Sequence, residues 1–296
     1  MNPFCPARRF YSGMLLLLAL HPYPAELSLE AAAHTRQESA AAPAHALRTA
    51  SGCPMQYYVS LPKGWTAARK WPVVVVLDGG AREWLATADT FASARGDFPF
   101  ILVTPLILTE GGVTDNSRLP SYHYADSVWK RVEKTGPAAF DQEGLNAIAH
   151  DVARDFSGEE KYFLAGSSVG AHLVWMMVFM HPEALAGAAS SCGDFNGSGI
   201  SSYSDAKERV GLPVRGFVGA LDGARFGPRG AKQNVRLIVP MPLVPREYGL
   251  QGAFEYAAKL AKVHGYRNVS LRVIPRRGRD LFARDVLAWF YSIRKR

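Results

Sequence analysis

From Cys53 onward the chain alternates short apolar runs with longer stretches of mixed polarity. Residues 73–77 read VVVVL, an unbroken and mostly β-branched run, and residues 100–105 read FILVTP. A strand that is apolar on both faces belongs inside a parallel sheet with helices covering either side. Residues 56–61 (QYYVSL) alternate instead, which predicts a strand with one face partly exposed. Further strands are predicted over 162–165, 186–191, 214–219 and 269–274. Residues 142–156 carry Leu145, Ile148, Val152 and Phe156 at helical spacing. Helices are also predicted over 251–264, closed by Gly265, and over 282–293. Residues 169–180 form a strongly apolar helix, stopped by His181-Pro182. Strands and helices taking turns in this way predict an α/β domain, a mostly parallel central sheet with helices on both faces. Ligands of such sheets gather at the carboxyl ends of the strands.

The start of the chain breaks this pattern. Residues 1–25 read as an export signal: Arg8 and Arg9 supply positive charge, residues 14–20 (MLLLLAL) a short apolar core, and small residues follow near Ala25 and from Ala31 to Ala33. Residues 26–52 are alanine-rich and polar, a linker with no core of its own, which leaves residues 53–296 as the domain. That organisation places the mature protein in the periplasm or outside the cell. No apolar run nears the roughly 18 residues of a membrane span, so none is expected in the mature protein.

Composition narrows the function classes. With 48% hydrophobic and 20% charged residues among 296, the chain builds a substantial core and is not disordered throughout. Lysine plus arginine (34) exceed aspartate plus glutamate (26), a net charge of +8. The basic residues are scattered, apart from Arg276, Arg277, Arg279 and the tail Arg294-Lys295-Arg296, and no recognition motif accompanies them. A nucleic-acid partner is therefore not expected. Of three cysteines, Cys5 lies in the export segment, and Cys53 and Cys192 lack metal-site spacing, so two free thiols are expected, with a bridge between them as the alternative. No metal constellation, phosphate-cradling loop or dinucleotide fingerprint is present, and no cofactor is expected.

The chemistry concentrates between the strand at 162–165 and the apolar helix. There the chain reads Gly166-Ser167-Ser168-Val169-Gly170, a G-x-S-x-G turn between strand and helix. A tight turn holds the central serine off the sheet, glycines two places either side keep the backbone clear, and the helix N-terminus aims its N–H groups at the reacting centre. Ser168 is the candidate nucleophile, because the glycine spacing centres on it and not on Ser167. A nucleophilic serine needs an oxyanion hole. One donor is expected from the N–H of Val169 and a second from Gly80, in the Asp78-Gly79-Gly80-Ala81 turn after the 73–77 strand. Asp78 is awkward there, since a carboxylate beside an oxyanion opposes it unless it points elsewhere.

With this elbow, the glycine turn and the strand order, residues 56–290 resemble the α/β-hydrolase superfamily, most closely the secreted esterases related to poly(3-hydroxybutyrate) depolymerases and feruloyl or acetylxylan esterases. The resemblance implies a catalytic order of serine, acid, histidine. The acid should follow the 214–219 strand, where Asp222 stands, with Asp194 as the weaker alternative. The histidine should follow the last strand, in the loop Pro275-Arg276-Arg277-Gly278-Arg279-Asp280-Leu281. Similar proteins often carry Pro-Gly-x-Gly-His-Asp here; aligned on Gly278 and Asp280, the histidine position holds Arg279. None of the eight histidines lies after the last strand.

Arginine cannot accept a proton from a serine. Beside Asp222, Arg279 is expected to form a charge-assisted pair that is stable and catalytically idle. His123, on the long loop after the 100–105 strand, is the best substitute base. His172 reads as a packing residue, His264 as a cation at a helix end, and His150 as a surface residue. The 108–139 segment is long and aromatic, so Tyr122, His123 and Tyr124 are candidate substrate contacts, although its aromatics serve equally as cover for the sheet edge. Residues 239–248 form a second irregular loop at the pocket's border. The resemblance thus implies a serine ester hydrolase acting through an acyl-enzyme on a small or polymer-linked ester, impaired by its missing base. The alternatives are a pseudohydrolase that binds ester-like or peptide ligands without turnover and a peptidase of the prolyl-oligopeptidase type, which needs a histidine too.

Overall fold

The computed structural model of the chain describes residues 45–79, 83–109, 124–193, 195, 197–222 and 250–295. In chain order the elements are β1 (Ala46–Thr49), β2 (Gln56–Ser60), β3 (Val73–Leu77), α1 (Trp84–Arg95), β4 (Ile101–Pro105), α2 (Asp126–Thr135), α3 (Pro137–Asp155), β5 (Tyr162–Ser167), α4 (Val169–Met180), β6 (Leu185–Ser191), a short α5 (Glu208–Gly211), β7 (Val214–Gly219), α6 (Leu250–Val263), β8 (Val269–Ile274) and α7 (Ala283–Arg294). The strands form one sheet in the order β1-β2-β4-β3-β5-β6-β7-β8. β1 and β2 pair antiparallel with their neighbours, and every pairing from β4 to β8 is parallel. This is the α/β-hydrolase fold that the resemblance implies.

The unbroken apolar run of β3 is explained by what covers it. Val73, Val75 and Leu77 join one core with Leu145, Ile148 and Val152 of α3, the residues of α4 from Leu173 to Phe179, and Phe254, Ala257 and Ala261 of α6. Val74 and Val76 face the other way, into a second core built by Phe91 and Ala92 of α1 and by Val286, Leu287 and Phe290 of α7. Successive side chains of a strand point to opposite faces, so a central strand with helices on both sides needs apolar residues at every position. Helix α4 is buried from Gly170 to Phe179, which is why its sequence has no polar stripe.

Two stretches depart from the sequence expectation. Ala46–Thr49, inside the segment read as linker, is an edge strand whose four residues are all exposed. An exposed strand that contributes no core residue leaves no apolar pattern to find. The 108–139 segment also contains α2 and the first turn of α3. Tyr124 belongs to the core beneath this segment, as the reading of its aromatics as cover for the sheet expects. It is buried, its hydroxyl donates to the Leu106 carbonyl at 3.1 Å and accepts from the Gln56 N–H at 3.2 Å, and its ring packs edge-on against Trp129 and Phe140.

The exit of β4 is tied down by a buried carboxylate. Asp141 of α3 accepts the N–H of Leu108 at 2.8 Å and that of Thr109 at 2.6 Å. Asp141→Ala should cost about 2–4 kcal/mol, because it strands buried N–H groups. Urea unfolding measures this, and a loss below about 1 kcal/mol would show the tie to be dispensable. Cys53 and Cys192 are both free and buried. Among the described residues no helix is long and apolar enough to cross a membrane.

Candidate active site

The site is assembled at the carboxyl ends of β3, β5, β7 and β8. Ser168 lies between β5 and α4 at φ 56° and ψ −119°. A residue with a side chain rarely occupies this region, at a cost of about 1–3 kcal/mol, and such strain persists only where the surroundings enforce it. The enforcement is visible in the two flanking glycines. A Cβ on Gly166 would stand 2.5 Å from the Gly170 carbonyl oxygen, and one on Gly170 would stand 2.4 Å from the Asp78 carbonyl oxygen and 2.7 Å from that of Leu77. The G-x-S-x-G spacing is therefore a packing requirement: β5, α4 and the end of β3 touch backbone to backbone around the serine.

Ser168 is half-buried, and its own N–H donates to the Ser191 carbonyl at 3.2 Å. Val169 opens α4, so its N–H is one of the first four with no intrahelical acceptor. Gly79 lies against the elbow, and a Cβ there would meet the Ser168 Cβ at 3.5 Å. Asp78 does not oppose charge at the elbow. Its buried carboxylate accepts the Thr87 hydroxyl of α1 at 2.6 Å, and burial raises its pKa.

Arg279 occupies the place that the resemblance assigns to the base, and its Nη2 donates to Ser168 Oγ at 2.8 Å. The expected pair with Asp222 does not form. Among the described residues no hydrogen bond or ion pair joins these two side chains, and Asp280 is taken instead by Arg277. The reason is solvation. Asp222 is 2% exposed, whereas Arg279 stands in solvent, and drawing a guanidinium down to a buried carboxylate desolvates both charges. Asp222 lies beside the Cys192 thiol, whose pKa burial and this neighbouring carboxylate push up to about 11. Cys192 is thus a neutral thiol near pH 7 and no competing nucleophile. The Oδ2 atom of Asp222 has no hydrogen-bond partner among the described residues.

The loops of Asp222 and Arg279 are fastened together. Ala220 N–H donates to the Ile274 carbonyl and Leu221 N–H to the Arg277 carbonyl, each at 2.9 Å. A Cβ on Gly219 would fall 2.2 Å from the Gly278 oxygen, so only glycine lets these loops approach. The loop that carries Asp222 is thus held against the loop that carries Arg279, whose guanidinium reaches Ser168.

No described histidine reaches Ser168. His172 is 1% exposed, pairs through Nε2 with the Ser198 carbonyl at 3.1 Å and packs against Phe195, and His264 stacks on Tyr203. His150 is exposed on α3. Gly80, Tyr122, His123, Asp194 and the 239–248 loop lie outside the described residues. The sequence missed two features here: the direct grip of Arg279 on the serine and the place of Cys192 beside Asp222. Cys192, one residue past β6 and before Gly193, is the only hint the sequence offers of the second.

The model of the Esterase family matches residues 49–230, a span that covers β2 to β7 and holds Ser168 and Asp222. The chain belongs to the Esterase family. Its activity class is accordingly carboxylic ester hydrolysis. No curated protein sequence matches this esterase. Among solved structures it is similar to LpqC, a poly(3-hydroxybutyrate) depolymerase from Bordetella parapertussis, at 16% identity and a TM-score of 0.53, covering 84% of this chain and 90% of that one. Poly(aspartic acid) hydrolase-1 from Sphingomonas sp. KT-1 is similar at 15% identity and a TM-score of 0.53, over 85% of this chain and 98% of that one. The dienelactone hydrolase of Anabaena variabilis is similar at 12% identity and a TM-score of 0.51, over 85% and 98%. At these identities the likeness is one of fold.

Proposed function

We propose that this esterase cleaves carboxylic esters through an acyl-enzyme on Ser168, slowly for want of a base, after export directed by residues 1–25. The observation that carries this is the strained Ser168 at the carboxyl end of β5 with Arg279 Nη2 2.8 Å from its hydroxyl oxygen. In the reaction Oγ attacks the ester carbonyl carbon while its proton passes to water. The carbonyl oxygen takes up the charge, held by the Val169 N–H and a donor from the loop after Gly79. The C–O bond then breaks, the leaving oxygen takes a proton from water and departs as alcohol, and a second water hydrolyses the acyl-serine, releasing the acid and free Ser168.

Arg279 contributes in one direction only. As a fixed donor it stabilises negative charge on Oγ, but it takes up no proton. A serine site lacking one triad member retains roughly 10³–10⁴-fold acceleration over water, from its oxyanion donors and binding. Slow but real turnover is the expected result.

The test is covalent. A fluorophosphonate should form an adduct on Ser168, located by mass spectrometry, and Ser168→Ala should abolish the adduct and slow p-nitrophenyl acetate hydrolysis, down to what the oxyanion donors and binding alone supply. The second reading, a binding pocket without chemistry, is favoured by the cation in the base's place. An unlabelled Ser168 together with hydrolysis no faster than that of Ser168→Ala would establish it. For the export step, the secreted or periplasmic fraction should contain protein shortened near residue 25 or residues 31–33, and a full-length cytoplasmic product would refute it.

A further inference from the structure

The guanidinium on Ser168 has a further consequence for what the site accepts. A side chain with five donors and a permanent charge uses one donor on the serine hydroxyl. Arg279 is exposed and makes no ion pair among the described residues. Of the two acids on these loops, Asp280 is taken by Arg277 and the Phe282 N–H, and Asp222 is buried beside Cys192 and pairs with no described cation. Arg276, also exposed and without an ion pair among the described residues, stands on the same loop at φ 58°. Among the described residues this loop thus presents two guanidinium groups without an ion pair, one of them on the Ser168 hydroxyl.

We propose that Arg279 is a specificity-determining residue that selects esters bearing an ionised carboxylate a few bonds from the scissile carbonyl. The proposal rests on the ester-hydrolase reading of Ser168 and deepens it by naming the substrate class. The planar fork of a guanidinium matches a carboxylate through two parallel hydrogen bonds, and such charge-assisted pairs are stronger than neutral ones. Neutral esters offer those donors only carbonyl oxygens, without the opposite charge or the two-oxygen fork. The pair sits in solvent, so its contribution should fall as ionic strength rises.

The experiment compares two near-isosteric esters, monomethyl glutarate and the methyl ester of glutaramic acid, with the parent, Arg279→Gln and Arg279→Lys. The parent should favour the anionic ester in kcat/KM by about tenfold, the scale of one hydrogen-bonded charge. Arg279→Gln should bring the ratio close to unity, Arg279→Lys should retain part of it, and added salt should lower it in the parent. A second arm requires no turnover. Glutarate should raise the melting temperature of the parent but not that of Arg279→Gln, while the neutral diamide shifts neither. Equal kcat/KM for both esters in the parent overturns the proposal and leaves the hydrolase reading standing. A glutarate shift that depends on Arg279, with neither ester cleaved, supports the carboxylate site and sinks the hydrolase reading. Absence of any shift, or the same shift in Arg279→Gln, overturns the proposal.

Discussion

Arg279→His should raise ester hydrolysis by at least about tenfold, since general-base catalysis typically contributes roughly 10²–10⁴. The argument begins with what is already in place. Arg279 touches Ser168 Oγ, the loop that carries it is bonded to the Asp222 loop at Leu221 and Ala220, and the Oδ2 atom of Asp222 lacks a hydrogen-bond partner among the described residues. An imidazole there would gain both things that arginine forgoes: a lone pair for the serine proton and an N–H for a waiting carboxylate. The rate of the variant should climb with pH through about 6.5 or somewhat higher, because only neutral imidazole accepts a proton and a carboxylate partner favours its charged form. Adding Asp222→Asn should erase the gain, as the same change costs a working triad about 10⁴ in kcat. A folded Arg279→His protein that stays as slow as its parent would show that the base of this esterase does not belong at position 279.

Gly170→Ala should destabilise the fold by about 3 kcal/mol or more, among the larger effects a single methyl group can have. The atoms it would strike are the Asp78 and Leu77 carbonyl oxygens, at 2.4 and 2.7 Å. These are backbone atoms at the end of a strand paired on both sides, with β4 and with β5, so no side chain can swing aside. Gly211→Ala is the control. A Cβ there meets nothing within 4 Å, and a change within about 0.5 kcal/mol is expected. Urea unfolding of both variants measures the difference. Equal stability would mean that α4 and β3 approach less closely than described, and with it would fall the packing account of the elbow.

Local pattern was a good guide wherever burial was extensive. The β3 run, the unpolarised helix α4 and the turn between β5 and α4 each follow from side chains that must face a core on every side. The position of Asp222 was legible as the exit of a buried strand, and that of Arg279 as the exit of the last one. Pattern failed where little was buried. β1 is four exposed residues held by pairing with β2, and α2 buries only Val128, Trp129 and Val132 within a segment read as loop. For Tyr124 the sequence left substrate contact and sheet cover open, because nothing nearby in the chain announces that Gln56 and Leu106 claim its hydroxyl.

The sequence by itself determined the parallel sheet, the elbow serine and the absence of a histidine after the last strand, because each is a matter of residue type at a short spacing. Only the tertiary structure decided which partner Arg279 takes. Ser168 and Arg279 are 111 residues apart, and a long, charged side chain settles where it keeps its hydration and still finds an acceptor. Asp222 is too deeply buried to offer that, and the serine at the rim is not.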